Sequence, residues 1–297
     1  MKILVTGGTG FIGYHVVELL LEKGHSITIL GRKNNKKLPS GVVFALADLQ
    51  DYESVSEAVS KVDAVIHLAA QNGSECSSFP DELLITTNII GSLNIFDACR
   101  YFKKTCVYGS LGNHSNQSLY AITKSTTERF ALMYNKEHGT RIIITRIFNT
   151  FGERPELNLN ENLISSIILA AIENKPIKML DGSAQKYDFI YVKDVAEMLL
   201  SAIENDEINP MDLWHIGTTK CSNILDIVYL ILKLTGSKSI IDSTLEKKLE
   251  GNLSGQCADP SKLIVPDYQF TAIEDGLLST LKNLNQEQSY LNISNFR

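Results

Sequence analysis

Tyr120 and Lys124 place a phenol and an ammonium four residues apart in the chain. On a helix this spacing puts both side chains on one face, one turn apart. A nearby cation favours the phenolate, so Lys124 is expected to lower the pKa of Tyr120 from about 10 toward neutral pH. Tyr120 could then act as a general acid or base, and Lys124 could also bind a ribose hydroxyl.

The spacing alone is weak evidence, because Tyr229 and Lys233 share it within an apolar segment where a structural role is expected. Ser110 distinguishes the first pair from the second. It follows the apolar run 106–109, and ligands of open α/β sheets bind at the carboxyl ends of strands. Its hydroxyl could polarise a carbonyl or an alcohol while Tyr120 transfers the proton. We therefore predict that Ser110, Tyr120 and Lys124 form a catalytic group.

Three glycines follow the apolar run 3–5 at intervals of three residues, at Gly7, Gly10 and Gly13. Glycines at this spacing allow a tight turn, close approach of the backbone to a pyrophosphate, and close packing of a helix on a strand. Phe11 and Ile12 would then open a helix whose N-terminus attracts phosphate. This pattern predicts dinucleotide binding, and the alternative is a glycine-rich turn without a ligand.

Strand and helix patterns alternate over the first half of the chain, which predicts a parallel sheet with helices on both faces. Strands are expected at 2–6, 26–30, 42–46, 63–68, 104–109 and 141–147, with helices between them at 11–22, 52–60, 81–101 and 120–138. Later helices are expected at 161–173, 194–204 (with Asp194 as N-cap), 223–235 and 271–284. We expect a dinucleotide-binding domain at 1–150, with returning segments near 185–217, and a mainly substrate-binding lobe at 151–297.

The composition argues against several classes of partner. A formal net charge of −6 provides no basic surface for nucleic acid, and no apolar run approaches the roughly 20 residues that cross a bilayer. The chain enters a strand at Lys2, which leaves no room for a signal peptide. The cysteines are odd in number and include no Cys-x-x-Cys pair; they lie at 76, 99, 106, 221 and 257. We expect reduced thiols in a cytoplasmic protein, without a disulfide framework or a zinc site.

Together these features resemble the extended short-chain dehydrogenase/reductases, the branch of NAD(P)-dependent nucleotide-sugar epimerases, dehydratases and reductases. The resemblance covers nearly the whole chain and rests on Gly7-x-x-Gly10-x-x-Gly13, Ala47-Asp48-Leu49, Val65-Ile66-His67-Leu68-Ala69-Ala70, Asn88, Ser110, Tyr120-x-x-x-Lys124, Arg146-Ile147-Phe148-Asn149, Asp188-Phe189-Ile190-Tyr191-Val192 and His215-Ile216-Gly217. It implies a Rossmann-type doubly wound parallel sheet with a smaller α/β C-terminal substrate lobe. It also implies hydride transfer between a sugar carbon and a nicotinamide cofactor.

The resemblance also implies particular ligand contacts. The cofactor contacts beyond the glycine turn would be Asp48, Leu49, Leu68, Ala69, Ala70, Asn88, Tyr120 and Lys124. Asp48 and Leu49 would flank the adenine, the run 68–70 would line the phosphates and ribose, and Asn149 would reach toward the substrate phosphate. The structural alternatives are a turn residue for Asp48, close packing for the alanines and a loop cap for Asn149.

One departure from the family pattern concerns the cofactor. NAD-using members often carry an acid at the end of the second strand, where this chain has Gly31-Arg32-Lys33. Two cations suit a 2′-phosphate, so we predict NADP(H) in preference to NAD(H), with Arg32 and Lys33 as contacts. The alternative is that both residues begin a solvated loop with the polar run 34–37.

Two further departures concern the reaction. Leu111 and Gly112 follow Ser110 in place of acidic residues, which argues against a 4,6-dehydratase, and only nine residues separate Ser110 from Tyr120. Lys186 replaces one arginine that clamps a nucleotide diphosphate in the family, and a second arginine, expected near 253–259, is absent. We predict a 4-keto-sugar reductase acting on a nucleotide-linked sugar. The alternatives are an NAD-dependent 4-epimerase and a non-catalytic NAD(P)-sensing regulatory protein.

Family members commonly dimerise through the helix that bears the tyrosine–lysine pair and the helix before it. The runs 93–98 and 130–132 could supply such an interface in a homodimer, or they could face the core of the sheet.

Overall fold

The structure is a computed structural model that describes residues 1–33, 38–71, 80–112, 118–153, 163–178, 186–242 and 257–294. The chain forms two compact units. The first comprises Met1–Phe148, Val195–Ile216 and Asp259–Tyr268, and the second comprises Asn149–Asp194, Gly217–Ala258 and Gln269–Arg297.

The first unit is built on a seven-stranded parallel sheet with the order β10-β6-β5-β4-β1-β2-β3. Its strands are β1 (Lys2–Thr6), β2 (Ser26–Gly31), β3 (Val43–Leu46), β4 (Ala64–His67), β5 (Thr105–Leu111), β6 (Ile142–Ile147) and β10 (Leu213–Ile216). Apolar residues occupy consecutive positions of the central strands because helices cover both faces of the sheet. The order of the strands reverses between β1 and β4, and such a switch point is where ligands bind in open α/β sheets.

The helices of this unit are α1 (Phe11–Glu22), α2 (Tyr52–Ser60), α3 (Asp81–Ile85), α4 (Gly91–Phe102) and α5 (Leu119–His138), and α7 (Val192–Glu204) enters it from the second unit. A π-helical turn, Thr86–Ile90, joins α3 to α4 within the single helix predicted over 81–101. Half of the predicted interface run 93–98 faces inward, since Ile95, Phe96 and Ala98 belong to the buried core.

The second unit contains a three-stranded sheet with the order β11-β9-β7, formed by β7 (Asn149–Phe151), β9 (Lys186–Tyr191) and β11 (Cys221–Asn223). A two-stranded sheet pairs β8 (Ile177–Lys178) with β12 (Ile241–Asp242). Its other helices are α6 (Leu163–Ile172), α8 (Ile224–Thr235) and α9 (Ile273–Ser294). The buried Asp188 carboxylate accepts hydrogen bonds from the backbone of Thr218, Thr219 and Ala258, so it ties three segments of this unit together.

Two sequence-based expectations are wrong. Cys221 and Cys257 form a disulfide, because residue 221 lies on the outer strand of the small sheet within reach of residue 257. Cys99 and Cys106 are buried free thiols, as expected, and Cys76 lies outside the described residues.

Asp194 is not an N-cap: it lies in the first turn of α7, and its carboxylate accepts from the backbone and hydroxyl of Thr271.

Within the described residues, no helix combines the length and apolar character needed to cross a bilayer.

Candidate functional site

The glycine turn joins β1 to α1 without a side-chain cap. Helix α1 begins at Phe11 after Gly10, and among the residues described no side chain forms a cap hydrogen bond there. Gly7 has a φ of 73°, and a Cβ there would lie 2.7 Å from the backbone nitrogen of Ala69. A Cβ at Gly13 would lie 2.1 Å from the Gly7 carbonyl oxygen. Glycine is therefore required at both positions, and the N-terminus of the helix that follows suits an anion such as a pyrophosphate.

A cavity of about 270 Å³ lies beside this turn in the first unit. Eight of its lining residues were predicted as cofactor contacts: Gly7, Gly10, Arg32, Asp48, Leu49, Leu68, Ala69 and Ala70. The sequence reasoning missed six others: Thr9, Leu30, Gly31, Ala47, Gln71 and Thr87. Most of these six adjoin predicted residues at strand ends, so adjacency could have found them. Thr87 belongs to the π-helical turn, which no sequence pattern indicated.

These residues fit the adenosine and pyrophosphate part of a dinucleotide. The helix end suits phosphate, a Cβ at Gly7 would collide with the backbone of the segment 68–69, and Leu49 provides an apolar wall. Arg32 adds a cation at the end of β2, whereas Lys33 does not line the cavity. Asp48 also serves as a turn residue, because its Oδ1 accepts from the Gln50 N–H at 3.0 Å.

Asn88 does not line the cavity but holds a segment that does. Its side chain is 1% exposed, its Nδ2 donates to the Gln71 carbonyl at 3.0 Å, and its Oδ1 accepts from the Gln71 N–H at 2.7 Å. Nδ2 also donates to the Thr123 hydroxyl at 3.0 Å. Asn88 therefore links the cavity-lining Gln71 to helix α5.

The predicted catalytic residues all lie in the first unit, on β5 and α5. Ser110 is on β5 near its carboxyl end, and its buried Oγ has no hydrogen-bond partner among the residues described. Helix α5 begins at Leu119 because Ser118 caps it, accepting from the Ala121 N–H at 3.2 Å. Tyr120 consequently lies in the first turn, and Lys124 follows one turn later on the same face.

The ionisation of this pair differs from the expectation. Burial raises the pKa of Tyr120 above its usual value, so the predicted lowering by Lys124 is wrong for this structure. Burial lowers the pKa of Lys124 to about 7, with a partly compensating attraction from Glu128. Lys124 is only 3% exposed, and near neutral pH it is charged for only part of the time, which weakens its effect on the phenol.

His67, at the end of β4, forms a buried support beneath the site that the sequence reasoning did not assign. Its Nδ1 bonds the Thr6 hydroxyl at 2.6 Å and its Nε2 bonds the Ser92 hydroxyl at 2.9 Å. Burial and the nearby Lys124 charge lower the pKa of His67 to about 3, so the imidazole is neutral at physiological pH. A buried, neutral histidine with both nitrogens bonded is a structural group, not a proton carrier.

The predicted substrate residues Asn149 and Lys186 belong to the second unit. Asn149 Nδ2 donates to the Asp188 carbonyl at 3.2 Å, which favours the alternative role of a cap between β7 and β9. Lys186 is exposed at the start of β9, opposite Asn223 of β11. The loop between Ser110 and Tyr120, which the sequence predicts to be short, lies largely outside the described residues.

The chain matches the model of the NAD dependent epimerase/dehydratase family over residues 3–217. It belongs to this family. A putative UDP-glucose 4-epimerase of Methanocaldococcus jannaschii is 31% identical over 84% of this chain and 87% of its own length. UDP-glucuronic acid decarboxylase 1 of Danio rerio is 25% identical over 96% of this chain and 73% of its own length. UDP-glucose 4-epimerase of Thermus thermophilus, solved in complex with NAD, has a TM-score of 0.80 and 25% identity, and the two chains match over 96% and 99% of their lengths.

The matched segment of the epimerase/dehydratase family includes the glycine turn, the whole of β5 and α5, and the strand β9. It ends before Cys221, so the disulfide lies in a part of the chain that the family model does not cover. The likeness to the solved epimerase spans 96% of the chain, and the doubly wound sheet predicted from the sequence is thereby confirmed.

Proposed function

We propose that this chain is a pyridine-nucleotide-dependent enzyme of nucleotide-linked sugars and that it reduces a 4-keto sugar. Two observations carry this proposal: the buried Ser110 hydroxyl has no hydrogen-bond partner in the part of the chain that the structure describes, and burial raises the pKa of Tyr120. A phenol that keeps its proton is suited to donating it to a carbonyl oxygen, which is the proton transfer that a reduction requires.

The residues of the glycine turn and of the segment 68–71 would hold the pyrophosphate and ribose, and Leu49 would contact the adenine. When the dinucleotide is bound, its nicotinamide supplies the hydride. Ser110 would donate a hydrogen bond to the 4-keto oxygen and polarise the carbonyl, since its Oγ is committed to no other described group. Tyr120 would give its proton to the same oxygen, and Lys124 would favour the resulting phenolate.

Arg32 supports a preference for NADP(H). Its position on the cavity at the end of β2 places a guanidinium where a carboxylate would favour NAD. A charge-assisted hydrogen bond to the 2′-phosphate contributes about 1.5–3 kcal/mol, or roughly 10- to 150-fold in affinity. Calorimetric titration should therefore give a lower Kd for NADPH than for NADH, and Arg32→Ala should remove the difference. Lys61→Ala, at the exposed residue that follows α2, serves as the control, and tighter binding of NADH by the wild type would contradict this preference.

The relatives support a nucleotide-linked sugar as substrate, because the decarboxylase of Danio rerio and the putative epimerase of Methanocaldococcus jannaschii are both named for UDP-sugar reactions. Lys186 would provide one cation for the diphosphate, as a point charge without the planar fork of arginine. Titration with UDP tests this part of the proposal. No detectable binding in the presence of NADP⁺ would argue for a different carbonyl substrate.

A 4-epimerase is the second candidate, favoured by the 31% identity with the archaeal putative epimerase. The two reactions differ in their net consumption of cofactor. A reductase consumes one NADPH for each sugar, whereas an epimerase regenerates its cofactor. Loss of absorbance at 340 nm with a UDP-4-keto sugar supports the reductase. Interconversion of two UDP-hexoses without any such loss supports the epimerase. The regulatory alternative would be favoured if Tyr120→Phe kept full biological function.

We also propose that the chain forms a homodimer through α4 and α5. Ile122 on α5 is 50% exposed, and Ile90, the last residue of the π-helical turn before α4, is 45% exposed, so apolar surface remains on and beside these helices beyond the buried core. Light scattering should give twice the chain mass, and Ile122→Glu should lower it.

A further inference from the structure

Strand β5 and helix α5 each contribute two side chains, one step apart, to the candidate catalytic site. Side chains two apart on a strand share a face, so Tyr108 lies one step below Ser110. Lys124 lies one helical turn from Tyr120. In the structure the Lys124 Nζ is 4.2 Å from the centre of the Tyr108 ring. We propose that Tyr108 is a positioning residue whose ring face holds the Lys124 ammonium beneath the catalytic phenol.

A buried ammonium needs compensating groups, and the ring face acts together with the partial attraction from Glu128. Lys124 is 3% exposed and Tyr108 is fully buried. Within the described residues, no carboxylate forms an ion pair with Lys124. Glu128, the acid whose charge acts on Lys124, is engaged by the Arg146 guanidinium through bonds of 3.1 and 2.9 Å. The negative face of an aromatic ring attracts a cation most strongly where both are removed from water.

The ring is itself fixed in orientation, which is what a positioning residue requires. Phe96 contacts Tyr108 edge to face at 5.5 Å, and His67 stacks on it at 5.7 Å with an interplanar angle of 30°. His67 is in turn held by Thr6 and Ser92 at its two nitrogens. The residues that hold the ring and the ammonium in contact therefore come from three adjacent strands, β1, β4 and β5, and from two helices, α4 and α5.

The titratable and charged groups around Lys124 come from four elements: His67 on β4, Tyr108 on β5, Tyr120 and Glu128 on α5, and Arg146 on β6. His67 stays neutral above about pH 3, so its charge does not change while Lys124 titrates near pH 7. A change in the titration of Lys124 that follows a change in the ring can then be attributed to the ring.

The test changes the electron density on the face of the ring at position 108, while the shape of that ring stays nearly constant. Phenylalanine and its mono-, di- and trifluorinated forms are incorporated at position 108, since each fluorine withdraws electron density from the face. The protonation midpoint of Lys124 is followed in the apo protein by NMR of ¹³Cε-labelled lysine, with the signal assigned from its absence in Lys124→Arg. Tyr108→Phe should titrate as the wild type does, near pH 7. Successive fluorines should lower the midpoint, by about 0.5–1.5 pH units at three fluorines.

The midpoints should fall in the order of fluorine number, because a weaker ring face stabilises the charged form less. A midpoint that does not move along the series would overturn the proposal, and so would a shift in Tyr108→Phe as large as that in the trifluorinated form.

Ring shape changes little, so the series remains informative even where Tyr108→Leu fails to fold. The role assigned to Lys124 rests on the proposed function, but the titration needs neither cofactor nor substrate. An inactive protein with a normal fluorine dependence would overturn the function and leave the ring contact intact.

Discussion

At the scale of single residues, the site is built at the expense of stability. Lys124 carries an amine into the core, and burial lowers its pKa from 10.5 to about 7. In the unfolded chain the amine is protonated up to its ordinary pKa, whereas in the folded protein it begins to lose the proton near pH 7. The unfolded state therefore binds more protons over this interval, and folding becomes more favourable as the pH rises from 7 to about 10.5.

We predict that Lys124→Met stabilises the apo protein at pH 7 by about 2–4 kcal/mol, because methionine fills the same space without a charge to desolvate. Denaturant unfolding at pH 7 and pH 9.5 provides the measurement, and the gain should be smaller at the higher pH. Lys136→Met, at an exposed position of the same helix, is the control and should change stability by less than about 0.5 kcal/mol. A less stable Lys124→Met protein would contradict this account.

His67 predicts an acid dependence of stability. Its pKa is lowered to about 3, so between pH 6.5 and 3 the unfolded chain takes up a proton that the folded protein does not. The stabilisation that His67 contributes is complete above pH 6.5. Below that value the free energy of unfolding falls by up to about 1.4 kcal/mol for each pH unit. His67→Gln should be less stable than wild type at pH 7, and the two proteins should converge as the pH approaches 4. Curves that stay parallel from pH 7 to pH 4 would refute the assignment.

At the scale of elements, the sequence predicts the longer helices and the first six strands, β1 to β6, but neither the six later strands of the described chain nor the contacts between distant segments. The strand at 2–6 and the helix at 11–22 were predicted with their observed bounds, because apolar runs and glycines define both locally. The π-helical turn after Ile85 depends on Asn88 reaching Gln71 and on Gly91 packing against Leu49. Such a turn cannot be inferred from local propensity.

The candidate site was predictable to a similar extent. The glycine turn and the catalytic group follow from residue types at fixed spacing. The raised pKa of Tyr120 was not predictable, because it depends on burial that the helix spacing does not specify. The structural role of Asp188 was also missed, since its three backbone partners are brought to it only by the small sheet of the second unit.

The Cys221–Cys257 disulfide should stabilise the second unit. It closes a loop with a sequence separation of 36 residues, for which the chain-entropy relation gives about 4 kcal/mol as an upper value. Cys221→Ser and Cys257→Ser should each lose about 2–4 kcal/mol under oxidising conditions. A dithiol reductant should lower the stability of the wild type to the same extent and leave both variants unchanged. Reductant should also raise the number of titratable thiols in denaturant by two, and an unchanged count would show that the bond is absent.

At the scale of the whole molecule, the proposed cofactor and the fold are linked by mass action. A ligand that binds only the folded protein stabilises it by RT ln(1 + [L]/Kd), or about 2.7 kcal/mol at one hundred times Kd. For a chain of 297 residues this corresponds to a rise in Tm of roughly 4 °C. The size of the shift therefore measures the affinity of the cavity beside the glycine turn without an assay of turnover.

We predict this shift for the wild type with NADPH and a smaller one for Arg32→Ala at the same NADPH concentration. After a 10- to 150-fold loss of affinity, a concentration of one hundred times the wild-type Kd equals about ten times the variant's Kd at one limit and less than that Kd at the other. The stabilisation by NADPH then falls to roughly half of the wild-type value or less. The thermal shift with NADH should be similar in the two proteins, because that cofactor lacks the 2′-phosphate that Arg32 would bind. An equal loss with both cofactors would mean that Arg32 supports the cavity and does not select the cofactor. No shift with either nucleotide would mean that the glycine turn does not hold a dinucleotide.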